Sequence, residues 1–366
     1  MSVKKPIRQK VLAMRSIAPQ IANAEQRSTC RDSQLLPACQ QRSEIRPMNN
    51  LIDKARHLPI NAAVATISIS PVTLPMPGRD QPLELRITAP ATGRDLPLIL
   101  LSHGHGPSLY IASKDGYGPL ANFLAEHGFV VIQPTHANSK VGGLAPDGHG
   151  GPLFWQERVE ELTCIVDQLQ AIDATVPVLT GRMDRERIAA VGHSLGSHTV
   201  SLLLGARLTS PDEPAAGRDM REPRIKAGVL LAGLGRGEDL DGPMGLRYPA
   251  LSLGFSPMTT KSLVVFGDED VSPHLTTRGA DWHADPFHAP GADSLLTLFG
   301  AKHGLGGIAG YDAKETDDED PDRLGTTQRM TWAYLRSALY PGDPAWQNAC
   351  LALKDEAAEL GKVDHK

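Results

Sequence analysis

The sequence predicts an α/β protein with a doubly wound, mostly parallel sheet of about eight strands, antiparallel strands at its N-terminal edge and helices on both faces. Two observations predict this class. Short, continuously apolar runs recur along the chain, as expected of strands buried on both faces. Segments with apolar residues spaced three and four apart separate these runs, which is typical of covering helices. The 366 residues suffice for one such domain with extensions.

The predicted strands are of two kinds. Residues 65–70 and 83–88 alternate apolar and polar side chains and are separated by Pro and Gly, which indicates an antiparallel pair at a sheet edge. Six later runs are continuously apolar and are expected to form the parallel part of the sheet. These runs are residues 96–101, 129–132, 188–191, 227–231, 263–266 and 295–299.

Three segments are predicted to form helices between and after these strands. Residues 118–128 have Pro119 near their start and Gly128 at their end, the punctuation expected of a helix. Residues 153–172 and 328–339 space their apolar side chains at three and four. The acidic run over residues 315–322 is predicted to be a solvated loop, because it lacks the ligand spacing of a calcium-binding loop.

Charge divides the chain unevenly. Residues 1–56 carry eleven Lys and Arg against four Asp and Glu, a net charge of +7, so the remainder carries −12 of the total of −5. An acidic body argues against a nucleic-acid partner. We predict a flexible, basic N-terminal extension over residues 1–58, one catalytic domain over 59–345 and a C-terminal tail over 346–366.

Targeting and redox signals are weak. No apolar core follows Lys4 and Lys5, and no run of 18 apolar residues exists, so we expect neither a secretory signal nor a membrane span. The expected location is the cytoplasm, and no oligomeric state is predicted. The four cysteines show neither metal-type spacing nor a disulfide framework; they are Cys30, Cys39, Cys164 and Cys350.

The most informative motif is the pentapeptide Gly192-His193-Ser194-Leu195-Gly196, which lies between an apolar strand and an apolar helix. In this context a G-x-S-x-G sequence forces its serine into a sharp, exposed turn. The glycines let strand and helix approach closely, and the helix N-terminus supplies amide donors. The pattern predicts that Ser194 is a nucleophile.

Candidate partners of Ser194 follow two of the later strands. Asp268 and Asp270 come after one of them, and His303 comes after the next. The carboxyl ends of parallel strands meet at one edge of a sheet. A neutral imidazole must take the serine proton, and a buried carboxylate must orient that imidazole. We predict a catalytic triad of Ser194, Asp270 and His303, with Asp268 as the alternative acid; a polar loop cap is the structural interpretation of this acidic turn.

A fourth element follows the strand over residues 96–101, in a Gly-rich turn over residues 102–107. Acyl transfer places negative charge on the carbonyl oxygen, and each preorganised N–H donor there contributes roughly 3–4 kcal/mol. The predicted oxyanion-hole donors are the amides of His105 and Leu195. A zinc site is the alternative for this turn, but no carboxylate or cysteine completes a known spacing, so no metal or cofactor is predicted. That alternative uses His103, His105, His136, His149 and His193.

Taken in order, these motifs resemble the α/β-hydrolase superfamily over roughly residues 60–340. The specific likeness is to dienelactone-hydrolase-like and platelet-activating-factor-acetylhydrolase-like esterases, with plant chlorophyllases more distant. It rests on the order of the turn at residues 102–106, the segments 117–128 and 129–134, the helix containing residues 155–158, and the elbow at 188–196. The resemblance implies an α/β-hydrolase fold and serine esterase activity.

Two departures limit what the resemblance implies. True dienelactone hydrolases have a cysteine nucleophile where this chain has Ser194, so their lactone activity is not implied. In the acetylhydrolase-like group the acid follows the strand after the nucleophile. Here residues 229–234 contain no carboxylate, and the next ones are Glu238 and Asp239. This difference directs the acid role to Asp270.

Substrate determinants are less clearly encoded. The long excursion over residues 271–293 separates the acid from the histidine and is predicted to form a lid or a wall of the pocket. Candidate pocket residues are Tyr110, Trp155, Trp282 and Phe287. The alternative interpretation is anchoring of the excursion to the body for Trp282 and Phe287, and helix packing for Trp155.

The leading functional hypothesis is a metal-independent serine hydrolase that cleaves small-molecule carboxylic esters through an acyl-enzyme. One alternative is a catalytically silent α/β-hydrolase scaffold that binds a small ligand. Another is a metal-dependent hydrolase that uses the histidines.

Overall fold

The computed structural model describes residues 52–79, 81–142, 151–310 and 317–366. Most of the predicted N-terminal extension, the first part of the acidic run and His149 lie outside the described residues. The elements of the described part are bounded as follows. The strands are β1 (Thr66–Leu74), β2 (Leu83–Pro90), β3 (Leu96–Ser102), β4 (Val130–Pro134), β5 (Met183–His193), β6 (Arg207–Leu208), β7 (Ile225–Leu231), β8 (Leu253–Gly254), β9 (Lys261–Gly267), β10 (Ala292–Leu298) and β11 (Gly361–His365). The helices are α1 (Gly118–Glu126), α2 (Trp155–Asp167), α3 (Leu169–Thr175), α4 (Leu195–Leu203), α5 (Pro243–Arg247), α6 (Pro321–Leu339) and α7 (Ala345–Glu356).

One nine-stranded sheet organises the described chain, in the order β1-β2-β4-β3-β5-β7-β9-β10-β11. The pairs β1–β2, β2–β4 and β10–β11 are antiparallel. The five pairs from β4–β3 through β9–β10 are parallel. The predicted class, a mostly parallel sheet with antiparallel strands at its N-terminal edge, is confirmed. Of the nine strands of this sheet, the sequence predicted the eight that precede β11, all at or close to the observed positions.

Both faces of the sheet are covered, which explains the continuously apolar strands. Along β3, Leu98 and Leu100 pack into one buried cluster, and Ile99 and Leu101 pack into a second cluster on the opposite face. Helices α2 and α3 contribute to the first cluster, and α1, α6 and α7 contribute to the second. Successive side chains of a strand point to opposite faces, so a strand covered on both sides has no position for a polar residue.

Two helix boundaries differ from the prediction. The segment 153–172 forms two helices, because Gln168 leaves helical geometry at φ −101° and donates from its side chain to the carbonyl of Pro75. Helix α6 begins at Pro321 rather than at residue 328. Asp320 caps it by accepting a hydrogen bond from the N–H of Arg323 at 2.8 Å. The end of the acidic run is therefore a helix cap and first turn, and the prediction of a loop was wrong there.

The prediction of a C-terminal tail over residues 346–366 was wrong. Helix α7 packs Leu353 into the second cluster, and β11 adds an antiparallel strand to the sheet, with Val363 opposite Leu296. The sequence signal was weak because α7 buries mainly alanines, at Ala345 and Ala349, and because an edge strand can be polar. None of the described helices has the length and apolar composition that a membrane crossing requires.

We expect Leu353→Ala to lower the free energy of unfolding by about 2–5 kcal/mol, since it removes a buried side chain and leaves a cavity. Leu351 lies on the same helix but is 51% exposed, so Leu351→Ala is the matched control and should change stability by less than about 0.5 kcal/mol. Urea unfolding followed by circular dichroism measures both. Equal effects of the two substitutions would contradict the packing of α7.

Candidate active site

The turn that carries Ser194 joins β5 to α4 within one residue. β5 ends at His193, α4 begins at Leu195, and Ser194 between them has φ 55° and ψ −121°. A serine at positive φ is strained and persists only where its surroundings fix it. The N–H of Ser194 donates to the carbonyl of Leu231 on the neighbouring strand β7 at 3.0 Å. The turn is therefore as sharp as the pentapeptide predicted, and Ser194 is half-buried rather than fully exposed.

Backbone contacts explain the two glycines of the motif. A Cβ atom on Gly192 would overlap the carbonyl oxygen of Gly196. One on Gly196 would overlap the carbonyl oxygen of Ser102 at the end of β3. The serine turn and the turn that follows β3 are thus packed backbone against backbone, and neither glycine tolerates a side chain.

His303 and Asp270 form an acid–imidazole pair near this turn. Asp270 follows β9, His303 follows β10, and His303 Nδ1 donates to Asp270 Oδ2 at 2.9 Å. The Asp270 side chain is 2% exposed and that of His303 is 45% exposed. Asp268 is exposed and accepts a hydrogen bond from the N–H of Gly300 instead. The structure therefore brings Asp270, and not Asp268, to the histidine.

The pair shifts both pKa values towards the charged forms. Burial disfavours the His303 imidazolium, but the hydrogen bond and negative charge of Asp270 outweigh it and raise the pKa of His303 above its usual 6.5. Burial likewise disfavours the Asp270 carboxylate, and the hydrogen bond and charge of His303 outweigh it and lower the pKa of Asp270. An imidazolium formed at His303 is consequently stabilised in place.

The Gly-rich turn after β3 lies directly against the serine. A Cβ on Gly104 would stand 3.4 Å from the Cβ of Ser194. Within the described residues, no oxygen accepts a hydrogen bond from the main-chain N–H of His105 or Leu195. The N–H of Gly104, in contrast, donates to the Tyr117 hydroxyl at 3.1 Å. Both amides that the sequence predicted as oxyanion donors therefore lack an acceptor in the part of the chain that the structure describes.

A buried guanidinium, that of Arg158, is hydrogen-bonded to the turn that follows β3. Arg158 of α2 is fully buried and donates to the carbonyl of His103 and, at 3.0 Å, to the hydroxyl of Ser102. It also donates to Asn138, whose side chain hydrogen-bonds with that of His105 at 3.0 Å. The turn is thereby fixed by charge-assisted hydrogen bonds rather than by its own sequence.

A second buried titratable group, the carboxyl of Glu161, extends the network. Glu161, one helical turn after Arg158, accepts hydrogen bonds from Arg79 at 2.5 Å and from the N–H of Ala137 at 3.0 Å. It also accepts from His136 Nδ1 at 2.6 Å. Burial and the Arg158 charge lower the pKa of His136 well below 6.5, so this imidazole is neutral, and its Nε2 accepts from the Ser102 hydroxyl.

Three described histidines of the alternative zinc site, His103, His136 and His193, use their ring nitrogens in hydrogen bonds within the protein. His103 Nε2 accepts from the N–H of His136, and both nitrogens of His136 are used as described above. His193 hydrogen-bonds with Tyr117 and with the carbonyl of His303. The described residues contain one group with metal-compatible spacing, and it is a different one, formed by Asp270, His283 and His303.

His283 is a neighbour of Asp270 that sequence reasoning missed. Its Nδ1 donates to the carbonyl of Gly233 at 2.5 Å, and its Nε2 lies 3.5 Å from Asp270 Oδ2 and 3.2 Å from the hydroxyl of Ser272. Burial lowers the pKa of His283, so the ring is neutral and presents a lone pair to the carboxylate side. The sequence offered only a histidine in a long excursion, with no spacing that tied it to Asp270.

The excursion itself packs into the body. Residues 280–288 form a 3₁₀ helix whose Trp282 is fully buried. Trp282 shares a small apolar cluster with Leu195, the residue after the serine; Leu153, Leu234 and Leu251 complete the cluster. The Asp285 carboxylate accepts from Arg278 and from the N–H of Arg236, which fixes the segment. This packing supports a wall next to Ser194 and argues against a free lid.

The other predicted pocket aromatics are placed differently. Trp155 is buried in the first core cluster, and Phe287 packs against the same cluster and against the ammonium group of Lys366, 4.9 Å from its ring. Packing accounts for both residues. Tyr110 is 51% exposed, and its ring lies near Gly310 and Gly118. Of the four predicted aromatics, the structure brings Trp282 into one cluster with Leu195.

The sheet order and the strand–serine–helix turn define an α/β hydrolase. The model of the alpha/beta hydrolase family matches residues 98–361, and the chain belongs to this family. A platelet-activating factor acetylhydrolase of Cavia porcellus is 29% identical over 143 residues, which cover 30% of this chain. The match spans about a third of that relative, 32% of its length. An esterase of Pyrobaculum calidifontis is structurally similar, with a TM-score of 0.48 and 17% identity over 79% of this chain and 89% of its own.

We expect the imidazole of His303 to titrate above pH 6.5 and to titrate at lower pH in the Asp270→Asn variant, since the carboxylate charge that opposes desolvation is then gone. Asp268→Asn is the matched control from the same turn and should leave this pKa in place. NMR of the histidine ring signals against pH measures all three proteins. A pKa that is insensitive to Asp270→Asn would contradict the pairing.

Proposed function

We propose that this protein is a serine hydrolase that cleaves carboxylic esters through an acyl-enzyme intermediate. The observation that carries the proposal is the convergence of three features on one turn. Ser194 sits at positive φ at the start of α4, the amides of His105 and Leu195 have no acceptor among the described residues, and His303 is bonded to a buried carboxylate. Nucleophile, oxyanion donors and an oriented base are the three parts that acyl transfer needs.

In the proposed acylation step, the Ser194 oxygen attacks the ester carbonyl carbon while neutral His303 takes the hydroxyl proton on Nε2. The hydrogen bond from Nδ1 to Asp270 fixes the tautomer that leaves Nε2 free to accept. The carbonyl oxygen becomes negatively charged and accepts hydrogen bonds from the amides of His105 and Leu195. The C–O bond then breaks, and His303 returns its proton to the departing alcohol.

In the proposed deacylation step, water enters and His303 takes one of its protons as the water oxygen attacks the acyl carbon. The second tetrahedral species uses the same oxyanion donors. It collapses by breaking the bond to Ser194, whose oxygen recovers the proton from His303, and the carboxylic acid leaves. The reaction needs no further reactant, since the ester and one water give an alcohol and an acid.

The surroundings of the serine support an ester with an apolar part. The apolar cluster that contains Leu195 and Trp282 stands beside the nucleophile, with Leu240, Tyr248 and Leu275 packed against it. Apolar walls with a few convergent polar groups are typical of small-molecule sites. The name of the Cavia porcellus relative, an acetylhydrolase, agrees with hydrolytic acyl transfer.

We expect the wild-type protein to react covalently with a fluorophosphonate probe and to hydrolyse p-nitrophenyl esters in the presence of a chelator. Ser194→Ala should abolish labelling and lower kcat by at least about 10³-fold, because the nucleophile is removed. Ser201→Ala, a buried serine two turns further along α4, is the control and should keep both activities. Labelling is read by mass spectrometry of the Ser194 peptide.

Three outcomes would count against the proposal. Full esterase activity in Ser194→Ala would exclude the serine as nucleophile. Loss of wild-type activity on chelation, restored by added metal, would favour a metal-dependent hydrolase built on Asp270, His283 and His303. The absence of labelling and of turnover with esters of every chain length would favour a silent scaffold.

We expect kcat/KM to rise with pH through the pKa of His303, because only the neutral imidazole accepts the serine proton. The half-maximal point should lie above pH 6.5, since Asp270 raises this pKa. In Asp270→Asn the same limb should move to lower pH while kcat falls about 10³–10⁴-fold through the wrong tautomer. Asp268→Asn should keep the wild-type pH profile, with kcat within a few-fold of wild type. A large loss of kcat in Asp268→Asn and a small one in Asp270→Asn would instead identify Asp268 as the acid.

A further inference from the structure

A continuous chain of hydrogen bonds links three parts of the site through two buried side chains. The Gly104 N–H lies 3.1 Å from the Tyr117 hydroxyl oxygen, and that oxygen lies 2.7 Å from His193 Nδ1. On the other side of the ring, His193 Nε2 lies 2.7 Å from the carbonyl oxygen of His303. Tyr117 is 1% exposed and His193 is 6% exposed, so water does not compete for these bonds.

The chemistry of the two end groups fixes the direction of every bond. A carbonyl oxygen only accepts, so His193 Nε2 carries the proton and donates to His303. A neutral imidazole then has a lone pair on Nδ1, which accepts the Tyr117 hydroxyl proton. The Tyr117 oxygen in turn accepts from Gly104 N–H. Burial lowers the pKa of His193 to about 3, which keeps the ring neutral at working pH.

The chain of hydrogen bonds joins three segments of the proposed active site. Gly104 belongs to the turn whose next residue, His105, supplies an oxyanion donor. His193 is the residue directly before Ser194. The main chain of His303 carries the base, whose side chain is held separately by Asp270. His303 is therefore fixed at two points, at its ring by Asp270 and at its backbone by the residue that precedes the nucleophile.

We propose that Tyr117 and His193 are positioning residues that set the separation of the serine, the base and the oxyanion turn during acyl transfer. The inference rests on the proposed function and deepens it. Neither side chain needs to contact the substrate. Reacting groups must be held within a few tenths of an ångström, and a displacement of about 1 Å can cost 10²-fold in rate.

Two substitutions break the chain at different bonds. Tyr117→Phe removes the hydroxyl and leaves both Gly104 N–H and His193 Nδ1 without a partner. We expect kcat to fall about tenfold. His193→Leu frees the backbone of His303, and we expect kcat to fall about 10²-fold. In both variants KM should stay within about twofold, because the substrate contacts are unchanged.

One conservative variant tests the hydrogen bonds rather than the volume of the ring. In His193→Gln the side-chain amide has an NH₂ group that can donate to the His303 carbonyl and an oxygen that can accept from the Tyr117 hydroxyl. We expect it to recover most of the kcat that His193→Leu loses. In the double variant Tyr117→Phe/His193→Leu, kcat should be only slightly lower than in His193→Leu. Two substitutions that interrupt the same chain of hydrogen bonds are not expected to have additive effects.

The protein contains matched controls for both residues. His198 on α4 is also fully buried, and its Nε2 also donates to a backbone carbonyl at 2.7 Å, that of Ala250. Tyr334 on α6 is 1% exposed and donates its hydroxyl proton to Asp293 at 2.9 Å. His198→Leu and Tyr334→Phe should lower the melting temperature about as much as the test variants do, while kcat stays within about threefold of wild type.

The decisive measurement compares the rate of fluorophosphonate labelling of Ser194 and kcat for a p-nitrophenyl ester across these six variants and wild type. Circular dichroism verifies that each is folded. Losses confined to Tyr117→Phe, His193→Leu and the double variant that combines them, with recovery in His193→Gln, support the inference. A labelled wild type with His193→Leu no slower than His198→Leu overturns the inference alone. A wild type that is neither labelled nor active overturns the proposed function, and the inference with it.

Discussion

The contact between the serine turn and the turn after β3 is the constraint on which the rest of the site depends. Gly196 lies so close to the carbonyl of Ser102 that no side chain fits, and Gly104 lies against the Cβ of Ser194. This contact holds Ser194 at a positive φ that serine disfavours. It also sets the distance from the serine to the amide of His105. Ser194 and the neighbouring amides of this turn are thus positioned by backbone packing, with little left to side-chain rotamers.

Buried polar groups explain how a glycine-rich turn becomes rigid. Arg158 is fully buried, yet its guanidinium finds acceptors in Ser102, His103, Asn138 and Thr199. Buried ions of this kind contribute little net stability, because desolvation offsets their attraction, but removing one partner leaves an uncompensated charge. Such a network therefore contributes mainly by allowing a single conformation of the turn. Glu161 continues this network by accepting hydrogen bonds from His136 and Arg79.

Burial and neighbouring charges divide the histidines of the site into two groups. His103, His136, His193 and His283 are buried and held neutral by desolvation. His303 is the exception, because its ring is partly exposed and Asp270 favours its charged form. The neutral histidines act as directed hydrogen-bond groups, and one of them, His193, ties the serine turn to the backbone of His303.

The sequence by itself determined the sheet class, the serine turn and the order of Ser194, the acidic turn at residues 268–270 and His303, because each depends on local patterns of glycine, apolar runs and strand ends. It could not find α7 and β11, whose burial depends on a neighbour far along the chain rather than on their own periodicity. It left Asp268 and Asp270 open, two residues apart in one turn, and only the tertiary structure placed one against His303 and the other against Gly300. Only the tertiary structure revealed the contacts of Tyr117, Arg158 and His283. Their roles lie in hydrogen bonds to residues distant in sequence, and no spacing in a linear chain encodes those contacts.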